Sequence, residues 1–208
     1  SSLQNNKNTV RDPYAKAIYD LEIAKHTYSQ GHTYNSSESE QLRWNFKEAL
    51  EISEMLINTF PDTYIASQAK NLKQTIEAPS LQLQLESYLP IASDSRILVT
   101  YSNTSSVQLS VYKISATESD ALQKIYDKEK KWTYISKLKR EKQWTQQLKD
   151  EGDYRNHSTE ILLPGFPQGR YLILATPPHD TTNRLFEYTE LQYTNLALVK
   201  TQDKNNSY

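Results

Sequence analysis

The chain has no cysteine in 208 residues. Disulfides, thiolate metal sites, thiol nucleophiles and thioesters are therefore excluded within it, and the redox compartment stays open. Glycine is nearly as scarce, with 4 residues, so two of them inside one turn (Gly165 and Gly169) are informative. Each is expected to permit a backbone angle that a side chain resists. No apolar run approaches the ~20 residues a spanning helix needs. The first ten residues, SSLQNNKNTV, are polar and lack the apolar core of a signal peptide. Net charge is only −1, which gives no global electrostatic case for nucleic acid or an anionic membrane. Phenylalanine is rare and tyrosine abundant, 4 against 15, a balance that suits half-buried sheet faces where a ring packs and its hydroxyl reaches water. Hydrophobic content of 37% and a mean hydropathy of −0.77 favour two modest units, or an elongated one, over one large globule.

The chemical motifs are missing as well. There is no HExxH, no GxSxG elbow, no GxGxxG, no GxxxxGK[ST] and no Asp-rich calcium loop. The four histidines, His26, His32, His157 and His179, have no metal-ligand spacing. Carboxylate pairs at Glu38/Glu40 and Glu48/Glu51 read as solvated or salt-paired helix faces. Asn35, Asn103 and Asn156 each begin an N-x-S/T triplet, which matters only in a glycosylating host. No catalytic, cofactor-binding or metal residue is nominated, and no cofactor is expected.

What is present is a change of period. Asp12-Pro13 reads as cap and first turn of a helix carrying Tyr14, Ala17, Ile18, Leu21, Ala24 and Tyr28, with Gly31 in the C′ role. Ser37 and Glu40 match a capping box opening a second helix with Leu42, Phe46, Ala49, Leu50, Ser53, Leu56, Ile57 and Phe60 on one face. Asp62 is the expected cap of a third, with Ile65, Ala66, Ala69, Leu72 and Ile76, closed by Pro79. The second and third helices resemble a tetratricopeptide-type hairpin. About one and a half such units cannot cover their own apolar faces, so the helical piece is expected to dock on the domain C-terminal to it.

From Pro79 onward the spacing is two. Strand-like segments fall at 80–88, 95–101, 106–114, 142–148, 157–163, 169–176 and 185–200. Thr159–Pro177 reads as a hairpin whose turn is Pro164-Gly165-Phe166-Pro167-Gln168-Gly169. Between the third and fourth segments, Lys124–Lys142 holds eight basic residues against three acidic ones. A phosphate-binding patch or a contact for an acidic partner are the functional readings. The simpler one is a solvated insertion with lysines on its wet face, since neither a glycine loop nor a stacking platform accompanies the charge. The expected fold is α+β: a tail at 1–10, a three-helix TPR-like bundle at 11–79, a seven-stranded antiparallel β-sandwich with a charged helical insertion at 80–200, and a tail at 201–208.

The order of these features resembles the N-terminal region of the alpha-2-macroglobulin-like proteins of Bacteroidetes-type bacteria. The resemblance rests on the strands SLQLQLESYLP and ILVTYSNTSSVQLSVYKI, the segment QWTQQL and the run DYRNHSTEILLPGFPQGRYLIL. It lies in Tyr101-Ser102-Asn103, Trp144, Asp153-Tyr154, Leu163-Pro164 and Gly169 with Tyr171, where Arg170 intervenes, and in the closing TNLALV of 194–199. It covers about residues 63–200. It implies a macroglobulin-like module of a longer secreted or periplasmic chain, membrane-anchored in some members, that traps proteases through a bait region and often carries a Cys-Gly-Glu-Gln thioester. Neither device is present in these residues. The expected role is thus a non-enzymatic scaffold, with neighbouring domains of the same chain as partners and proteases engaged through the parent. The alternative is a cell-surface module binding glycan or protein through Trp132 and Trp144. A hydrolase using His157 or His179 is the third reading.

Overall fold

A computed structural model describes residues 12–178 and 185–195. The expected tails at 1–10 and 201–208, His179, and the end of the last strand fall outside the described residues. The chain forms two compact units. Of the described residues, the first comprises 12–80 with two later segments, 102–104 and 149–157. The second holds 81–101, 105–148, 158–178 and 185–195.

In the first unit, α1 (Pro13–Gly31) begins where the Asp12 carboxylate accepts from the Tyr14 amide at 3.0 Å and Pro13 fills the first position. Its buried stripe is narrower than the spacing suggests: Ala17, Leu21 and Ala24 are enclosed, but Tyr14 and Ile18 are exposed. The second helix starts later than expected. Asn35 Oδ1 accepts from the Ser37 amide at 2.9 Å, and the Asn35 amide donates to Ser39 Oγ at 2.6 Å. This side-chain turn competes with a cap at Ser37, and Glu40 instead takes the Tyr34 hydroxyl at 2.9 Å. A 3-10 turn, Glu40–Leu42, comes before α2 (Asn45–Thr59). The third helix, α3 (Tyr64–Glu77), is capped by Thr63, whose Oγ1 accepts from Ala66 at 3.2 Å. Asp62 is not the cap; it takes the left-handed φ of 60° that turns the chain. Small residues let the helices approach: Ala17, Leu21, Leu56, Ile65 and Ala69 make one core, and Ala49, Leu50 and Ile76 a second.

The later segments belong to this unit through specific bonds. Asn103, at φ 53°, donates its side-chain amide to the Ile76 and Ala78 carbonyls at 2.8 and 3.0 Å, satisfying acceptors that the end of α3 leaves open. Tyr154, at φ 60°, packs against the Ala49, Leu50 and Ile76 core.

In the second unit, the described residues form eight strands where seven are expected. They are β1 (Ser80–Gln84), β2 (Tyr88–Leu89), β3 (Ser95–Ser102), β4 (Ser106–Ile114), β5 (Arg140–Gln147), β6 (His157–Leu163), β7 (Gly169–Thr176) and β8 (Glu187–Tyr193). The order is β1-β3-β6 in one sheet and β2-β8-β7-β4-β5 in the other. The segment expected at 80–88 splits because the chain passes from the first sheet to the second between β1 and β2. The second sheet is mixed rather than wholly antiparallel, since β2 runs parallel to β8. Nor do β6 and β7 form a hairpin: 164–168 carries the chain from one sheet to the other, and β7 pairs with β4 and β8.

Both sheets contribute to one core, Leu81, Ile97, Val99, Ile161 and Leu163 meeting Leu109, Val111, Tyr171, Ile173, Leu191 and Tyr193, which is the layering of a β-sandwich. The five-stranded sheet has a second apolar patch on its other face, Tyr112, Ile114, Leu172 and Leu174. That patch explains the insertion. Helices α4 (Ala116–Gln123) and α5 (Lys128–Ile135) cover it with Leu122 and Ile135, each worth roughly 2 kcal/mol when buried. The insertion is thus not merely solvated; only its lysine-bearing side is. A capping box does occur, at Ser115 and Glu118, where Glu118 Oε2 accepts from the Ser115 amide at 2.7 Å.

Gly165 is required by closeness rather than by angle. A Cβ there would lie 2.3 Å from the Ala92 carbonyl carbon and oxygen, and the left-handed glycines are elsewhere.

Candidate functional site

A polar cluster lies in the first unit, where a cleft of about 480 Å³ is lined by Arg43, Asp153, Arg155 and His157 among others. It is built from the loop after α1 and the 149–157 segment. Asp153 opens a tight turn in which its Oδ1 accepts from the Arg155 amide at 3.1 Å. That turn, with Tyr154 left-handed behind it, places the Arg155 side chain against the end of α1.

The Arg155 guanidinium is directed at backbone. Nε donates to the Arg43 carbonyl at 2.8 Å, Nη1 to Gly31 at 2.8 Å and Nη2 to Leu42 at 2.6 Å. Its Cζ lies over the Tyr34 and Phe46 rings, 4.3 and 4.5 Å from their centroids. Burial draws its pKa below the ordinary value even though the Asp153 charge opposes that. Gly31 belongs to the same construction. It is the last residue of α1 and not a left-handed cap, and a Cβ on it would lie 2.5 Å from the Phe46 ring.

Asp153 is almost fully enclosed, at 2% exposure. His157 Nε2 donates to its Oδ1 at 2.8 Å, and Arg43 Nε pairs with Oδ2 at 3.4 Å. Burial works against its charge, but the His157 bond, the Arg155 amide and the Arg43 charge together hold its pKa below the usual carboxylate range. Glu151 is likewise held low, first by its bond to Lys149. A histidine oriented by a buried carboxylate is one element of nucleophile activation. Here the same carboxylate is committed to Arg43 and to the Arg155 turn, and Arg155 to three carbonyls, so the cluster is built as a clasp.

Of the histidines singled out in the sequence, His157 and His32 line this cleft, His26 is exposed on α1, and His179 lies outside the described residues. The paired glutamates do not gather into a site: Glu40 bonds Tyr34, while Glu48 and Glu51 are exposed. Among the described residues no three His, Asp or Glu side chains converge as metal ligands. Trp132 and Trp144 are both half-buried, the first against Phe186 at 5.4 Å and the second against the sandwich core. Arg43 and Arg155, which organise the clasp, carry no mark in the spacing of the sequence, being 112 residues apart.

No protein-family model matches the chain, and no curated protein does. Among solved structures, a fragment of Escherichia coli alpha-2-macroglobulin spanning domains MG0-NIE-MG1 is similar at 16% identity and a TM-score of 0.37, over 57% of this chain and 40% of that one. The CARDB domain of a Pyrococcus furiosus protein, in complex with di-metal ions, is similar at 12% identity and 0.33, over 56% and 87%. An alkylpurine DNA glycosylase of Pseudomonas fluorescens, bound to DNA containing an abasic site analogue, is similar at 9% and 0.30, over 92% and 50%. Scores this low establish neither a shared family nor a shared activity.

Proposed function

We propose that this chain is a non-catalytic scaffold module of a larger macroglobulin-like protease inhibitor, secreted or periplasmic. The observation that carries the reading is the use made of the residues on which the sequence resemblance rests. Asn103 closes the end of α3, Asp153 and Tyr154 form the clasp turn, and the Pro164 carbonyl accepts the Tyr193 hydroxyl at 3.2 Å. Each of them holds one stretch of chain to another. Residues kept for building leave the reactive parts of such a protein, bait and thioester, to other segments of the parent chain. The partners are then neighbouring domains, with proteases engaged by the parent. Among the described residues no helix is long and apolar enough to cross a membrane.

The test uses the natural gene product and this chain side by side. The gene product is mixed with a trypsin-like protease, and cleavage of a large protein substrate is compared with cleavage of a small peptide. A trap protects the large substrate while the small one is still cleaved, whereas this chain alone protects neither and hydrolyses no ester or peptide. Equal cleavage of both substrates by the protease, or hydrolysis by this chain that His157→Ala removes, would overturn the proposal.

A further inference from the structure

Strand β5 is the edge of the five-stranded sheet. All eight of its residues are exposed except the half-buried Trp144. It contains no proline, and the strand at the opposite edge, β2, has only two residues. The register with β4 fixes which backbone groups of β5 are already used. Leu148 donates to the Ser105 carbonyl at 2.8 Å, just beyond the paired residues Gln147 and Ser106. Antiparallel ladders alternate between bonded and non-bonded pairs. Gln146, Trp144 and Lys142 therefore bond toward β4, and Gln147, Thr145 and Gln143 turn their N–H and C=O groups outward. These groups recur about every 7 Å along the edge. The Gln143 side chain does not cover them, because it reaches back to Gln108 Oε1 at 2.6 Å and Ser110 Oγ at 3.1 Å.

The basic stretch Lys124–Lys142 leads into this edge and ends within it. Among the described residues none of its eight cations forms an ion pair. Lys128, Lys131 and Lys142 lie over the rings of Phe186, Tyr188 and Trp144 instead. Lys137, Lys139, Arg140 and Lys142 flank or enter β5, and Glu141, the one acid among them, sits at the register shift opposite Val111 and Tyr112. Edge lysines discourage pairing with a like strand. A second copy of this edge would bring a second Lys139, Arg140 and Lys142 against the single acid Glu141.

We propose that β5 is a docking edge for an extended, acidic segment of a protein partner, which adds as a sixth strand. The outward groups of Gln143, Thr145 and Gln147 recognise its backbone, and Lys139, Arg140 and Lys142 its carboxylates. A phosphate backbone answers only half of that surface, since it has no N–H to give to the outward carbonyls.

The probe is a synthetic octapeptide of alternating threonine and glutamate, tested on the whole chain by amide hydrogen exchange across β5, with an alternating threonine–lysine peptide as control. The glutamate peptide should slow exchange at Gln143, Thr145 and Gln147 and weaken at least about fivefold between low and high salt, while the lysine peptide has no effect. Thr145→Pro removes an outward N–H without touching the β4 ladder and should abolish the protection. Replacing Lys139, Arg140 and Lys142 together by Glu should invert the peptide preference, which decides the matter if the proline variant misfolds. Protection by neither peptide, equal protection by both, retained binding in a folded Thr145→Pro variant, or dimerisation of the free chain through β5 in sedimentation would each overturn the proposal.

Discussion

Arg155 Nη1 donates to the carbonyl oxygen of Gly31 across 2.8 Å, at the residue where α1 ends. The last carbonyls of a helix have no partner within it, and a charged donor that also bonds Leu42 and Arg43 satisfies three acceptors at once. Arg155→Ala should therefore destabilise the helical unit by about 3–5 kcal/mol, from three charge-assisted bonds and two ring contacts. Arg155→Lys should recover less than half, because an ammonium keeps the charge but not the planar fork. Urea unfolding followed by far-ultraviolet circular dichroism checks both.

Asp153 gives the unit a pH dependence of known sign. Its pKa is lowered in the folded state, so the native protein binds its proton less well than the unfolded chain, whose carboxyl titrates near 3.9. The stabilisation is complete above about pH 5 and is lost as pH falls through 4 toward the folded value. Asp153→Asn should cost about 2 kcal/mol at neutral pH and flatten the acid limb of stability against pH. An unchanged acid limb in that variant would assign the dependence to other carboxylates.

How much of this is legible in the sequence depends on whether the signal is local. Asp12-Pro13, the alanine-rich faces of the helices and the alternation through Val107, Leu109 and Val111 each announce an element within a few residues, and those elements lie where the spacing puts them. The caps expected at Ser37 and Asp62 do not form because a side-chain turn at Asn35 and a better-placed Thr63 outcompete them. The passage at 164–168 carries every mark of a hairpin turn, and period-two spacing cannot say which sheet a strand joins. The clasp is hidden for a different reason: Arg155, Arg43 and Gly31 meet only when a distant loop folds onto the helices, and nothing in their spacing records that meeting. Gly31 stands out in the sequence, but as a helix cap rather than for the room it leaves Phe46.

Glycine substitutions separate crowding from backbone strain. At Gly165 a new Cβ meets the Ala92 backbone, itself held by the Ala92 amide donating to Phe166 O at 2.9 Å and by the Gly165 amide donating to Asp94 at 2.8 Å. Backbone cannot rotate aside, so Gly165→Ala should cost about 2–4 kcal/mol. Gly152 has open space around it but a φ of 67°, so Gly152→Ala should cost only about 1–2 kcal/mol. Thermal midpoints of the two variants, compared under one condition, test that order.

Tyr193 supplies the opposite pH limb, in the sandwich. Its ring is fully buried, edge-on to Tyr171 at 5.6 Å, and its hydroxyl donates to the Pro164 carbonyl at 3.2 Å. Burial, with smaller contributions from Asp94 and Tyr171, pushes its pKa up to about 12, against about 10 in an unfolded chain. The folded protein thus holds this proton more tightly, and the associated stability is complete below pH 10 and lost as pH rises from 10 toward 12, on the order of 2 kcal/mol. Tyr193→Phe should cost about 1 kcal/mol at neutral pH, the worth of the lost hydrogen bond, and remove that part of the alkaline decline. Unfolding midpoints between pH 9 and 12, read beside the phenolate absorbance of both proteins, decide it: an alkaline decline of equal depth in the variant means that the phenol of Tyr193 ionises without opening the sandwich.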